Sequence, residues 1–155
     1  MRTADALPDG VRELIVAGRE AWRAQAYDEA ETLFGQALVA AGRQGDGFGR
    51  MSAYHFLGNV AFNLRCDGES RRLHTLALEL ARADDDDQGI ATSLGSIALV
   101  DVAQGDLGAA RRAFADSEAA YLRADMAEAA NRVRETAAAL LDEGVPLESL
   151  VDRQP

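Results

Sequence analysis

The side chains that could do covalent or acid–base chemistry are few: one cysteine, two histidines, and carboxylates, with sixteen arginines and no lysine. Cys66 lies eight residues before His74, and His55 falls on the preceding helical segment, so a thiolate with a histidine base is the first arrangement to weigh. No acid is placed by the spacing to orient a base. There is no CxxC, and the three side chains lack the paired spacing of a zinc site. The absence of lysine removes Schiff-base chemistry, a P-loop and a lysine general base. Gly45-Asp-Gly-Phe-Gly49 has the look of a phosphate loop, but neither a preceding strand nor a lysine completes it. The run Asp84 to Asp87 lacks the alternation, central glycine and terminal glutamate of a calcium loop. These residues predict a non-catalytic protein with no cofactor and no metal.

What must position them is helical. Among 155 residues there are 31 alanines, aromatics make up 6%, and the three prolines at Pro8, Pro146 and Pro155 leave the interior free of the strongest helix breaker. A net charge of −10 argues against a nucleic-acid backbone or an anionic membrane as partner. Cys66 has no second cysteine to pair with, Met1 to Pro8 has no apolar signal-like run, and no window nears about 18 uncharged apolar residues. A cytoplasmic location is the expectation.

Sliding the sequence against itself aligns three segments at forty residues: Tyr27 to Leu38, Asp67 to Leu78 and Leu107 to Glu118. Small residues recur at Ala30, Ser70 and Ala110, rings at Phe34, His74 and Phe114, and small residues again at Ala37, Ala77 and Ser117, one stripe of a helix. This alignment makes His74 a core residue in a ring position. Upstream of each lies a stripe carrying a glycine: Leu14 and Gly18 with Ala21, Leu57-Gly58 with Ala61, and Leu94-Gly95 with Ala98. The glycine spacing, 40 and then 37, predicts a third leading helix three residues longer than the others. Asp67 and Asp106 are expected N-caps, Asp125 with Glu128 a capping box, and Gly144 to Ser149 the start of a truncated eighth helix.

Leu-Gly with a small residue three on, a turn, and then Ala-x3-Phe-x2-Ala resembles the tetratricopeptide repeat, in the roughly forty-residue variety of bacterial regulators. The resemblance spans about Val11 to Leu122, with a weaker fourth unit to Leu150. It implies an all-α, right-handed α-solenoid of three helical hairpins and a capping helix, whose leading helices line a concave groove that binds peptides or proteins. The expected domain runs over 8–150, with hairpins at about 8–43, 46–83 and 86–124 and a capping helix at 125–143. Tails occupy 1–7 and 151–155.

The stripe opposite each Leu/Gly/Ala stripe would line the groove. It reads Arg12, Ile15, Arg19, Trp22 and Arg23, then Ser52, His55, Asn59, Phe62 and Asn63, then Gly89, Thr92, Ser96 and Leu99, with Asn131 and Arg134 on the last helix. None is acidic. Arginine forks and asparagine amides can grip a carboxylate, and Trp22 and Phe62 add apolar area beside them. His55 and Asn59 are similar to the cation-plus-asparagine pair with which some members of the family hold a C-terminal carboxylate. The expectation is therefore an adaptor or regulator whose groove binds an acidic or carboxylate-ended peptide segment, with Arg12, Arg19, Trp22, Arg23, His55, Asn59, Phe62, Asn63, Thr92, Ser96 and Arg134 as contacts. Two rivals stand beside it. The arginines could be simply solvated, or the same surface could enclose a small-molecule or enzymatic pocket of roughly 300 Å³ or more. An apolar end left by the short eighth helix would let two copies pair into a homodimer. Arg71-Arg72 and Arg111-Arg112 are expected on the convex surface, in solvent.

Overall fold

A computed structural model describes residues 10–151 and 153 of the 155-residue chain. The expected tail 1–7, with Pro8 and Asp9, lies outside the described residues, as do Asp152, Gln154 and Pro155. Helices α1 (Val11–Arg23) and α2 (Tyr27–Gln44) form a first hairpin, α3 (Gly47–Asn63) and α4 (Asp67–Ala83) a second, and α5 (Asp87–Ala103) and α6 (Leu107–Arg123) a third. Helix α7 (Ala127–Leu141) follows, then a 3-10 turn at Leu147–Ser149, and the described residues contain no strand. Each helix packs on its neighbours in sequence, and α1, α3 and α5 also touch one another along one side. The fold is an α-solenoid of three hairpins and a closing helix.

The turns are built alike. Positive φ occurs at Gln25, Gly45, Arg65, Asp85, Gly105 and Asp125, one every twenty residues. After each, an N–H reaches back five residues to a carbonyl oxygen: Ala26 to Ala21, Asp46 to Ala41, Cys66 to Ala61, Asp86 to Ala81, Asp106 to Asp101 and Met126 to Tyr121. This bond and the left-handed residue before it are the C-terminal closure that satisfies helix-end carbonyls. On the far side, Asp46, Asp86 and Asp106 cap α3, α5 and α6 by accepting from the N–H groups of Gly49, Gly89 and Ala109 at 2.9–3.0 Å. Asp67 and Asp125 are not caps. Asp67 is the first residue inside α4, following Cys66, and Asp125 is the left-handed turn residue before Met126.

Evenly spaced turns fix the repeat at forty throughout. Helices α3 and α5 each have 17 residues, so the third leading helix is no longer than the second. The partner of Gly58 is Ala98, and Gly95 lies three residues off register. The reason is a contact between helices. A Cβ on Gly18 would fall 2.5 Å from the Phe34 ring, and one on Gly58 2.7 Å from the His74 ring. The third pair meets the same need with the smallest side chain, Ala98, alongside buried Phe114. The serines in this stripe are also satisfied: Ser70 Oγ donates to the Gly58 carbonyl oxygen at 2.9 Å and Ser117 Oγ to that of Ala91 at 2.7 Å. His74 is 1% exposed, a core residue in a ring position.

Two further expectations change. Arg71 is not merely solvated: it binds the buried carboxylate of Asp101 and, at 2.8 Å, Gln104 Oε1, clamping α4 to α5. Its repeat partner Arg111 reaches Asp142 at 2.9 Å. The eighth helix is also absent among the described residues. Gly144 turns the chain at φ +66°, Pro146 holds it extended, and a single 3-10 turn follows.

The turn geometry generates a paired prediction. At Gly105, with φ +78°, alanine should cost roughly 1–2 kcal/mol, whereas Asp125→Gly at φ +56° should raise stability by up to about 1 kcal/mol. Urea unfolding followed by circular dichroism checks both; equal effects of the two variants would deny that these turns share one strained conformation.

Candidate functional site

The leading-helix face begins with the arginines of α1. Arg12 and Arg19 are half-buried, and the Arg19 guanidinium lies 5.6 Å above the Phe56 ring. Phe56 in turn stacks on buried Phe34, with ring centroids 5.1 Å apart, so the α1 cation rests on a fixed aromatic platform. Trp22 packs 6.4 Å from the same ring and donates its indole N–H to Asn63 Oδ1 at 2.6 Å. Arg23 is exposed in the last turn of α1, where the helix dipole favours a cation. Neither Arg19 nor Arg23 has an ion-pair partner among the described residues. Arg65, Arg71, Arg72, Arg111, Arg123, Arg134 and Arg153 all have one.

Next along the face come His55 and Asn59. The Asn59 side-chain nitrogen lies 3.2 Å from His55 Nε2; with the amide oriented this way it donates, so Nε2 accepts and the ring proton sits on Nδ1. That Nδ1 is sealed from solvent without a partner, as is Nδ1 of His74, whose ring centroid is 5.4 Å away. Burial pushes His55 down to about 4. His74 is held well below its ordinary value, by burial first and then by the neighbouring His55. His55 therefore meets the groove as a neutral imidazole at pH 7, and a cation-plus-asparagine grip cannot rest on it.

The remaining expected contacts divide. Asn63 is 5% exposed and committed to Trp22, while Phe62 is 7% exposed, packed with Ala98 and Val100 and covered by the Arg153 guanidinium, so Phe62 is not an open groove wall. Thr92 bonds the Gln88 carbonyl oxygen and shares a 3.1 Å contact with the Tyr121 hydroxyl; Ser96 donates to the Thr92 carbonyl oxygen. Arg134 points elsewhere: it is exposed, pairs with Glu118 on α6 at 3.2 Å and bonds Asn131. In the forty-residue register the inner position on α7 falls to Arg132, which with Val133 and Thr136 faces Thr92, Gly95, Ser96 and Leu99 across a trough of about 260 Å³. Sequence reasoning missed Arg132 and Phe56. Counting forty on from Thr92 would have found the first.

Between α3 and α5 lies a second trough of about 240 Å³, walled by Phe48, Met51, Ser52, His55 and Phe56 on one side and Asp86, Gln88, Gly89, Thr92 and Ser93 on the other, with the Asp86 carboxylate engaged in capping α5. Its size suits a side chain better than a drug-sized ligand. Cys66 is exposed in its turn, with Sγ 3.7 Å from the Leu64 carbonyl oxygen. Among the described residues no group of three or more histidines, cysteines and carboxylates is placed to hold a metal ion, and no helix is long and apolar enough to cross a membrane.

Among known protein families, a model described as tetratricopeptide repeat matches residues 49–123, which span nearly all of α3 to α6. No curated protein and no solved structure matches the chain.

The histidine pair predicts a pH dependence. Both rings bind protons more readily in the unfolded chain, so their stabilising burial is complete above pH 6.5 and is lost as pH falls toward about 4. Stability at pH 5 should lie about 1–3 kcal/mol below that at pH 7.5, and His74→Phe, which restores the ring found in the other repeats, should remove part of that difference. Urea denaturation at the two pH values measures it. An unchanged difference in the variant would contradict burial of a neutral His74.

Proposed function

Because the chain is a tetratricopeptide-repeat protein, a class whose repeats mediate protein–protein interaction, we propose that it is a non-catalytic adaptor or regulator holding a partner's peptide on its leading-helix face. The segment it takes is acidic or ends in a carboxylate, and its seat is Arg12, Arg19 and Arg23 of α1 beside Trp22, His55 and Asn59. One observation carries this reading. In a chain of net charge −10, where seven arginines pair with carboxylates, Arg19 and Arg23, one turn apart on α1, have no ion-pair partner among the described residues and lie beside the aromatic platform of Phe56 and Trp22.

A planar guanidinium backed by an aromatic ring is well placed to bind a carboxylate through two parallel hydrogen bonds. Trp22, fixed by its bond to Asn63, would give the ligand a rigid apolar contact at little entropic cost. His55 contributes as a neutral hydrogen-bonding group rather than as a charge. The 240 Å³ trough between α3 and α5 would then take an apolar side chain of the same peptide, which favours a peptide over a small-molecule substrate. A cytoplasmic setting suits the single free cysteine.

Partner captured from the native cell and measured by calorimetry should bind Arg19→Glu/Arg23→Glu at least about tenfold more weakly than the wild type, and its wild-type affinity should fall as salt rises. Arg112→Glu on the exposed face of α6 serves as control and should bind normally. Undiminished affinity in the double variant would remove this reading.

A further inference from the structure

Beyond α7 the chain leaves the repeat and returns along the leading-helix side toward α3. Leu147, 7% exposed, enters the cluster that holds Phe62, Ala98 and Val100, and Val151 packs on the same cluster, as do Leu99 and Val102. Two residues later the Arg153 guanidinium stacks 4.3 Å from the Phe62 ring centroid. Its Nε donates to the Phe62 carbonyl oxygen at 3.0 Å and a second N–H goes to the Asp67 carboxylate, leaving the side chain 3% exposed. Glu148 pairs with Arg65 at 3.3 Å on the rim.

Three features set this surface apart from an ordinary core. In the forty-residue register Phe62, which the Arg153 guanidinium covers, stands where α1 has the half-buried Trp22, so the segment lies over a position that in the first hairpin carries no such cover among the described residues. The Asp67 carboxylate is peculiar to this hairpin, since the other trailing helices carry Tyr27 and Leu107 there. The described backbone hydrogen bonds of 145–151 stay within the segment or go to Ala139, so it is held on the stack by side chains, in the manner of a bound peptide.

We propose that this half of the leading face is a docking surface for a partner segment with two apolar side chains four residues apart followed, two residues on, by an arginine. Residues 145–151 and Arg153 occupy it in cis as a displaceable strap. The surface selects a cation through the Asp67 carboxylate, the Phe62 ring and the Phe62 carbonyl oxygen. The proposal does not depend on the arginines of α1, which would hold a ligand of opposite charge. Tethered by a few residues, the strap competes at the millimolar effective concentration typical of short links, so a partner must either bind tightly or meet a loosened strap.

The test uses the full chain with a protease site inserted after Glu143, cut once folded, and a fluorescein-labelled peptide with the sequence of residues 144–155. The labelled peptide should exchange into the cut chain while the helical signal is retained. The same peptide carrying Arg153→Glu should bind at least about tenfold more weakly, and an Asp67→Arg chain should reverse that preference. As a second route, the uncut Arg153→Glu chain should take up labelled wild-type peptide where the uncut wild type takes up little. Failure of exchange, equal binding of the two peptides, or loss of the helical signal on cutting would overturn the proposal, the last by making the segment an integral part of the core. Concentration-dependent dimerisation of the uncut wild-type chain through this segment would also overturn it, by assigning the surface to a second copy rather than to a separate partner.

Discussion

Six turns, each closed by one left-handed residue twenty residues after the last, set the phase of every helix in this chain. Such a residue costs roughly 1–2 kcal/mol when it is not glycine, and four of the six, Gln25, Arg65, Asp85 and Asp125, are not. The cost is offset by the backbone bond each turn makes to a carbonyl that would otherwise be orphaned, and by the burial it permits. With the phase fixed, a glycine or alanine on the leading helix always meets a ring on the trailing one, at Gly18 and Phe34, Gly58 and His74, Ala98 and Phe114. That recurring contact lets helices of a hairpin approach closely and sends the opposite face of every leading helix to the same side.

The distribution of charge follows from that geometry. Arginines on trailing helices lie within reach of the next hairpin and become clamps, Arg71 on Asp101 and Arg111 on Asp142. Arg19 and Arg23 of α1 have no ion-pair partner among the described residues, because the inner positions of α3 and α5 carry serine, histidine, asparagine, threonine and leucine. On our reading the leading face thus has two unlike halves, a cationic one with a half-buried tryptophan and a second whose anionic seat is filled by the strap.

Much of this was legible in the residues. The forty-residue alignment of the trailing helices places Phe34, His74 and Phe114 in equivalent sites because each ring position faces one neighbour and tolerates little variation. The leading helices misled. Gly95 seemed the heir of Gly58 because glycine is conspicuous, whereas the true heir is Ala98, a methyl group larger and invisible among 31 alanines. That slip of three residues carried the inner stripe of α5 with it, and on α7 the stripe was set two residues off register, so that Arg134 was chosen over Arg132. The signal that corrects both is the turn, and left-handed conformation at Gln25 or Arg65 leaves no mark in residue type. The strap was illegible for another reason: Arg153 and Asp67 are 86 residues apart in sequence, and no local pattern announces a contact that only the finished stack creates. The neutrality of His55 was illegible because it comes from burial. A sequence shows a histidine but not the loss of solvent that keeps it neutral.

The claim that the leading face is the interaction surface can be read from a single side chain, because Trp22 is the only tryptophan and sits between the α1 arginines and Asn63. Its emission should be followed while native partner is titrated, with affinity measured in parallel by an independent method. The account predicts a saturable change in Trp22 emission with the same midpoint as binding. A partner that binds fully while the emission and accessibility of Trp22 stay constant would place the interaction elsewhere on the molecule and contradict the account.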